Sequence, residues 1–297
     1  MNLRRIEKKS VLVTGGYGFI GCALVDYLRA QGHAVDIIDL GLFGGEDIRR
    51  DYRHVSSREL DNYDAIVHLA AHSSVRMAIN DPEAAIDNNL NGHYKLLQNI
   101  NEQKFIYASS ASVYFGHGNI KIKEDNKNFH VANVYDFTKH GADSLSTLYG
   151  KNYYALRFGT VNGFSRNTRF DVIINSMVRS SVINGEINVS NPLKHRSILA
   201  LKDLVRAISI ILSSPDAPGT YNLASFSSTV DDIAKNVSHS LGTPIRYNEN
   251  TPTYDFVMDT EKFEQQFNFQ FEENISSIIE DILKNKQFWI NEKHQKR

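Results

Sequence analysis

The feature that most constrains this chain is a glycine-rich turn near its start, Thr14-Gly15-Gly16-Tyr17-Gly18-Phe19-Ile20-Gly21, set directly after the apolar run Val11-Leu12-Val13. Glycines at 15, 18 and 21 between a buried strand and a helix permit a tight turn and a close approach of backbone to a ligand. A helix that opens there aims its free N–H groups and positive dipole end at whatever the turn encloses, which suits a pyrophosphate. Asp39 strengthens the reading. It stands eighteen residues after Gly21 at the end of the next apolar run, where a carboxylate accepts the ribose hydroxyls of an adenosine. An acid at that point repels a 2′-phosphate, so NAD is expected rather than NADP.

The first half of the chain alternates short apolar runs with longer amphipathic ones. Runs at 10–14, 34–39, 65–70, 105–109 and 153–158 read as buried strands, and 19–31, 83–100 and 135–150 show helical spacing of apolar residues. That alternation predicts an α/β fold, a Rossmann-type doubly wound parallel sheet. After about residue 160 the pattern loosens into a helix-like 172–184, short apolar segments at 187–189 and 198–201, a helix-like 204–213 and a strand-like 220–224. Residues 1–160 are therefore expected to form the dinucleotide-binding domain and 161–297 a smaller C-terminal substrate lobe. Segments near 197–201 and 220–224 are candidates to return to the first domain. The polar tail from 284 is read as a frayed end or a last helix.

Charge and cysteine usage narrow the setting. With 33 basic and 34 acidic side chains the net charge is −1, which supplies no electrostatic footprint for nucleic acid or an anionic membrane. The single cysteine, Cys22, cannot close an internal disulfide, and no apolar stretch fits a signal peptide or membrane span, so a cytoplasmic location is expected. Cys22 itself reads as a small packed side chain. The 11 histidines show no clustered ligand spacing, and no metal is expected.

A second constellation carries the chemistry. Tyr135-Asp136-Phe137-Thr138-Lys139 places a phenol and an ammonium four residues apart on one helical face. A unit charge ~4 Å away at an effective dielectric of ~20 is worth about 4 kcal/mol, roughly three pK units before desolvation subtracts its share. Lys139 is thus expected to draw the Tyr135 phenol towards neutrality and make it a general base. Ser109-Ser110-Ala111-Ser112 follows an apolar run at the expected carboxyl edge of the sheet. Ser110 is the candidate to hydrogen-bond the substrate oxygen, while others of these serines satisfy turn backbone groups.

In these motifs, together with His68-Leu69-Ala70-Ala71, Asn88-Asn89-Leu90-Asn91-Gly92, Val113-Tyr114 and Leu156-Arg157-Phe158, the chain resembles the extended short-chain dehydrogenase/reductase family, in its nucleotide-sugar epimerase and dehydratase branch, over nearly its whole length. The resemblance implies NAD contacts from Gly15, Tyr17, Gly18, Phe19, Ile20, Gly21 and Asp39, with Asp51 and Tyr52 meeting the adenine. It further implies that Leu69, Ala70 and Ala71 line the cofactor channel, that Asn88 lies near it, and that Tyr135 and Lys139 reach the nicotinamide end. Arg196, in Arg196-Ser197-Ile198-Leu199-Ala200-Leu201, resembles the arginine that grips a substrate diphosphate; a structural salt bridge is the other reading. Ser110, Ser112, Thr160 and Asn175 complete the candidate substrate contacts, and His195 is read as a solvated loop residue.

Two departures stand out. Thr160 occupies a position where relatives commonly carry asparagine, and Asp136-Phe137-Thr138 replaces the usual residues between the reactive pair. Dehydratases of the family place an aspartate and a glutamate after the catalytic hydroxyl; this chain has Ala111 and Ser112. The expected reaction is therefore NAD-dependent epimerisation of a nucleotide-linked sugar, at C4 through a transient 4-keto sugar, and the resemblance implies a homodimer through 83–100 and 135–150. The alternatives are a 4-keto reductase or dehydrogenase, a 4,6-dehydratase and, from another class, a non-catalytic NAD-binding regulator.

Overall fold

The computed structural model describes residues 7–45, 49–118, 120–128, 131–251 and 253–291. In chain order the first half runs β1 (Ser10–Thr14), α1 (Phe19–Ala30), β2 (Ala34–Ile38), α2 (Ser57–Leu60), β3 (Ala65–His68), α3 (Val75–Asn80), α4 (Pro82–Ile86), α5 (His93–Asn99), β4 (Lys104–Ser110), β5 (Lys121–Ile122), α6 (Val134–Tyr149), β6 (Tyr153–Phe158) and β7 (Thr160–Asn162). The second half continues with α7 (Ile173–Asn184), β8 (Ile187–Val189), β9 (His195–Ala200), α8 (Leu201–Ser213), β10 (Gly219–Leu223), β11 (Phe226–Thr229), α9 (Val230–Leu241), β12 (Ile245–Tyr247), β13 (Val257–Met258), α10 (Glu261–Phe267), α11 (Ile275–Lys284) and α12 (Lys286–Asn291).

Six parallel strands form the central sheet in the order β10-β6-β4-β3-β1-β2. The apolar runs of β1, β3 and β6 are buried because helices cover both faces. On one face α1 and α8 pack through Leu24, Leu28, Leu204 and Ile208; on the other, Leu96 of α5 and Ala142 of α6 pack on Phe105 and Tyr107. After β1 the chain winds outward to β2, then crosses back to β3. The switch point, where ligands of open α/β sheets bind, lies between the carboxyl ends of β1 and β3.

The later segments divide between two cores. β10 completes the large sheet, whereas β9 pairs instead with β7 and β11 in a three-stranded sheet. Behind that small sheet, Ile174 and Val178 of α7, Ile233 and Val237 of α9 and Ile278 and Ile282 of α11 form a separate apolar core. Trp289 of α12 closes it, its indole N–H donating to the Ile282 carbonyl at 3.0 Å. The region expected as one helix over 83–100 is α4, a π-helical turn at Asp87–Gly92 and α5. Such turns often accompany functional sites.

Candidate functional site

The glycine turn sits at the switch point. Gly15 has φ +74°, and a Cβ on it would stand 2.7 Å from the Ala70 backbone nitrogen. A Cβ on Gly21 would stand 2.1 Å from the Gly15 carbonyl oxygen, so these positions hold β1, β3 and α1 in backbone contact. Phe19 is buried behind the turn, while Tyr17, Gly18 and Ile20 are half-buried at its mouth. Asp39 follows β2 and accepts from the backbone N–H of Tyr17 at 3.0 Å and of Gly41 at 2.8 Å. Each oxygen keeps a lone pair for a ribose hydroxyl. The cradle thus fits a dinucleotide: close backbone, a helix N-terminus and an acid at one rim.

Leu69, Ala70 and Ala71 continue from β3, all half-buried, and Ala70 and Ala71 line a small pocket with Asn89, Tyr107 and Lys139. Asn88 lies in the π-helical turn; its carbonyl accepts from the Tyr52 hydroxyl. The Tyr52 side chain is 4% exposed, its ring tilted against that of His68 at 4.6 Å within the core. Asp51, half-buried, is held by Arg53 through contacts of 2.6–3.0 Å, and this hydrogen bonding keeps its carboxyl below the usual range. Cys22 is buried, and burial raises its thiol.

At the carboxyl end of β4, Ser110 caps a single 3₁₀ turn, and its hydroxyl donates to Ser112 Oγ at 3.0 Å. Tyr135 and Lys139 lie in the first turns of α6, which Asn133 caps by accepting the Asp136 N–H at 3.0 Å. The three expected residues meet: Ser110 faces the Tyr135 phenol and favours its charged form, and the Lys139 ammonium lies 5.7 Å from the Tyr135 ring centre. The electrostatics differ from expectation. Burial raises the Tyr135 phenol above its ordinary value, with Ser110 and the Arg169 guanidinium opposing and Asp136 adding to the rise. Lys139 is not among the groups that shift the phenol; its ammonium donates to the Ala108 carbonyl at 2.8 Å, and burial brings Lys139 itself down to about 8.

The expected substrate contacts fare unequally. Ser112 is close to the reactive group, and Thr160 is half-buried at the start of β7. Asn175 is a correction: fully buried, it accepts the Gly163 N–H at 3.0 Å and donates to the Gly163 and Arg169 carbonyls, which fixes the loop before α7 rather than a ligand. Arg196 donates to the Tyr254 carbonyl and to Thr253 Oγ1, so the segment before β13 holds it in place, and burial lowers its guanidinium. His195 lies 3.6 Å from Asp255 of the same segment.

Three residues escaped the sequence reading. Arg169, bound to Asp171 at 2.7 Å and to the Ser73 carbonyl at 3.2 Å, acts electrostatically on Tyr135 from the loop before α7. Asn167 clasps the glycine turn, donating to the Tyr17 carbonyl at 2.6 Å and the Phe43 carbonyl at 2.9 Å. Asn89 joins the carbonyl of His72 to Thr138 on α6. None belongs to a local pattern, although the repeated asparagines at 88–91 marked the last.

Residues 11–224, including the whole glycine turn and the reactive pair, match the model of the NAD dependent epimerase/dehydratase family. The chain belongs to that family. Among relatives of the NAD dependent epimerase/dehydratase family, Protein CapI of Staphylococcus aureus is 31% identical over 245 residues, 70% of each chain. The structure of UDP-N-acetylglucosamine 4-epimerase from Methanobrevibacter ruminantium M1, in complex with UDP-N-acetylmuramic acid, is 25% identical with a TM-score of 0.81, covering 94% of this chain and 99% of that one. TunA, an NAD-dependent NDP-hexosamine 5,6-dehydratase of tunicamycin biosynthesis, shares the fold at 21% identity and a TM-score of 0.83, over 96% and 99% of the two chains. The family's cofactor is NAD, and its members are enzymes of nucleotide-sugar chemistry.

Proposed function

We propose that this chain is an NAD-dependent epimerase that inverts C4 of a nucleotide-linked sugar through a transient 4-keto sugar. The observation that carries the reading is the meeting of Ser110, Tyr135 and Lys139 at the carboxyl edge of the sheet, with Ala111 and Ser112 after the catalytic hydroxyl. Elimination needs an acid and a base beyond those groups. Asp136, the carboxylate that acts on Tyr135, is fully buried and bonded to Tyr254 and Asn133. Likeness to a UDP-N-acetylglucosamine 4-epimerase supports the position of inversion.

In this reading the glycine turn, Asp39 and the channel at Ala70 and Ala71 hold the cofactor, which supplies reversible hydride transfer at carbon. Ser110 orients the sugar hydroxyl, Tyr135 takes its proton and later returns it, and Lys139, anchored on the Ala108 carbonyl, binds the nicotinamide ribose. Arg196 takes the diphosphate, and the residues after about 160 serve as the substrate lobe. A homodimer through 83–100 and 135–150 belongs to the same reading. Incubating the NAD-loaded protein with a panel of nucleotide sugars should give one C4-epimer pair and no net NADH; net reduction of the cofactor, or an unsaturated product, overturns the proposal.

A further inference from the structure

The loop before α7, residues 163–171, is braced from within. One buried side chain ties its two ends together: Asn175 accepts the Gly163 N–H at 3.0 Å and donates to the Gly163 carbonyl at 2.9 Å and the Arg169 carbonyl at 2.8 Å. Inside the loop the Ser165 N–H donates to Thr168 Oγ1 at 2.9 Å and the Asn167 N–H to Ser165 Oγ at 3.3 Å. The Phe164 N–H donates to Asp281 of α11 at 3.1 Å, which fixes the loop to the small core.

This braced loop meets the large sheet at three places on its carboxyl edge. After β1, the Asn167 amide donates to the Tyr17 carbonyl at 2.6 Å, and Arg166 meets Asp26 of α1 at 2.8 Å. After β2, the same amide donates to the Phe43 carbonyl at 2.9 Å. After β3, Arg169 donates to the Ser73 carbonyl at 3.2 Å. Ligands of open α/β sheets lie in the crevice outside these strand ends. A loop attached on both sides of the switch point between β1 and β3 therefore spans that crevice as a strap.

The anchors are unequal. The Arg166 and Asp26 side chains are each more than half exposed, and a pair of that kind holds little. Asn167 is half-buried and gives its side-chain amide to two backbone carbonyls. It also completes a grip on Tyr17, whose N–H goes to Asp39 and whose carbonyl goes to Asn167. The Tyr17 ring lies against Gly45, where a Cβ would stand 2.1 Å from a ring carbon. One amide thus holds together the glycine turn and the segment after β2 that folds over it. We propose that residues 163–171 are a strap over the NAD crevice, latched by Asn167, and that NAD enters and leaves only when this latch opens. The inference stands on the NAD site alone, whichever sugar reaction follows.

The test compares wild type with Asn167→Ala in the NAD-loaded protein. Release is read by exchanging bound NAD for isotopically labelled NAD, and affinity by equilibrium binding of the labelled form. Loss of two hydrogen bonds is expected to speed release at least about tenfold. Affinity should weaken by a smaller factor, because a strap that bars exit also bars entry and its opening speeds both. Unchanged or slower release overturns the proposal. So does a loss of affinity equal to the gain in release rate, which would make Asn167 a simple contact and no latch. Should Asn167→Ala not fold, Arg169→Leu, which cuts the anchor on Ser73, is read in the same two ways. No sugar enters either measurement, so failure here is distinguishable from failure of the epimerase reading.

Discussion

The Lys139 ammonium stands 5.7 Å from the Tyr135 ring centre, anchored on the Ala108 carbonyl at 2.8 Å and buried to 7% exposure. An amine lowered from 10.5 to about 8 is a charge the fold holds at a cost. Between those values the unfolded chain binds a proton that the folded chain does not, so the cost applies below about pH 8 and disappears as pH rises to 10.5. Lys139→Met should therefore raise the unfolding free energy at neutral pH, by on the order of 1–3 kcal/mol, while turnover falls at least ~100-fold. Denaturant melts and rate assays on the same preparation check both; a variant that loses stability and keeps turnover contradicts the assignment.

The glycine cradle makes a separate prediction. A Cβ on Gly21 would lie 2.1 Å from the Gly15 carbonyl oxygen, and neither backbone segment can yield without moving α1. Gly21→Ala should weaken NAD binding more than about tenfold, roughly 1.4 kcal/mol or more, measured by calorimetry. Retention of wild-type affinity would detach the turn from the cofactor.

Arg157 and Asp143 form a buried ion pair at 2.9 Å, each side chain 6% exposed, with Asp143 also accepting the Tyr107 hydroxyl at 3.0 Å and Arg157 donating to the Tyr114 hydroxyl at 2.5 Å. Removing one partner leaves the other charge buried. Asp143→Ala is expected to cost about 3–5 kcal/mol of stability, read from the urea midpoint, and a loss under about 1 kcal/mol would show the pair to be dispensable.

Two buried histidines set the acid limit. His68 bonds Thr14 at 2.7 Å and His93 bonds Ser146 at 2.9 Å, and burial pushes His68 well below 6.5 and His93 to about 3. Both are neutral in the fold and charged in the unfolded chain below 6.5, so stability is full above that pH and falls as pH drops towards their folded values. Each contributes a slope of about 1.4 kcal/mol per pH unit. His93→Gln should remove one such slope between pH ~6 and ~4; an unaltered slope excludes it as the titrating group.

Much of the site was legible because it is written locally. Parallel strands buried on both faces read as unbroken apolar runs, and β1, the glycine turn and α1 follow one another without interruption. Tyr135 and Lys139 share a helix face by spacing alone, and the serines end a strand. What escaped lies between distant segments. The clasp of Asn167 on Tyr17 and the bond from Tyr254 to Asp136 join residues more than a hundred positions apart. Asn175 was misplaced for the same reason: a polar side chain near a ligand-binding motif looks alike in sequence whether its partners are a ligand or the backbone. The helices beyond 224 carried a signal left unassigned, with Ile275, Ile278, Ile279 and Ile282 at helical spacing along one buried face of α11.

The central claim, that the cofactor lends and recovers one hydride at C4, is tested most directly with a nucleotide sugar deuterated at C4. The account predicts that the NAD-loaded protein yields the C4 epimer with deuterium retained at C4, no free NADH, and no conversion by Tyr135→Phe. Loss of the label to solvent or its appearance in released NADH would contradict it.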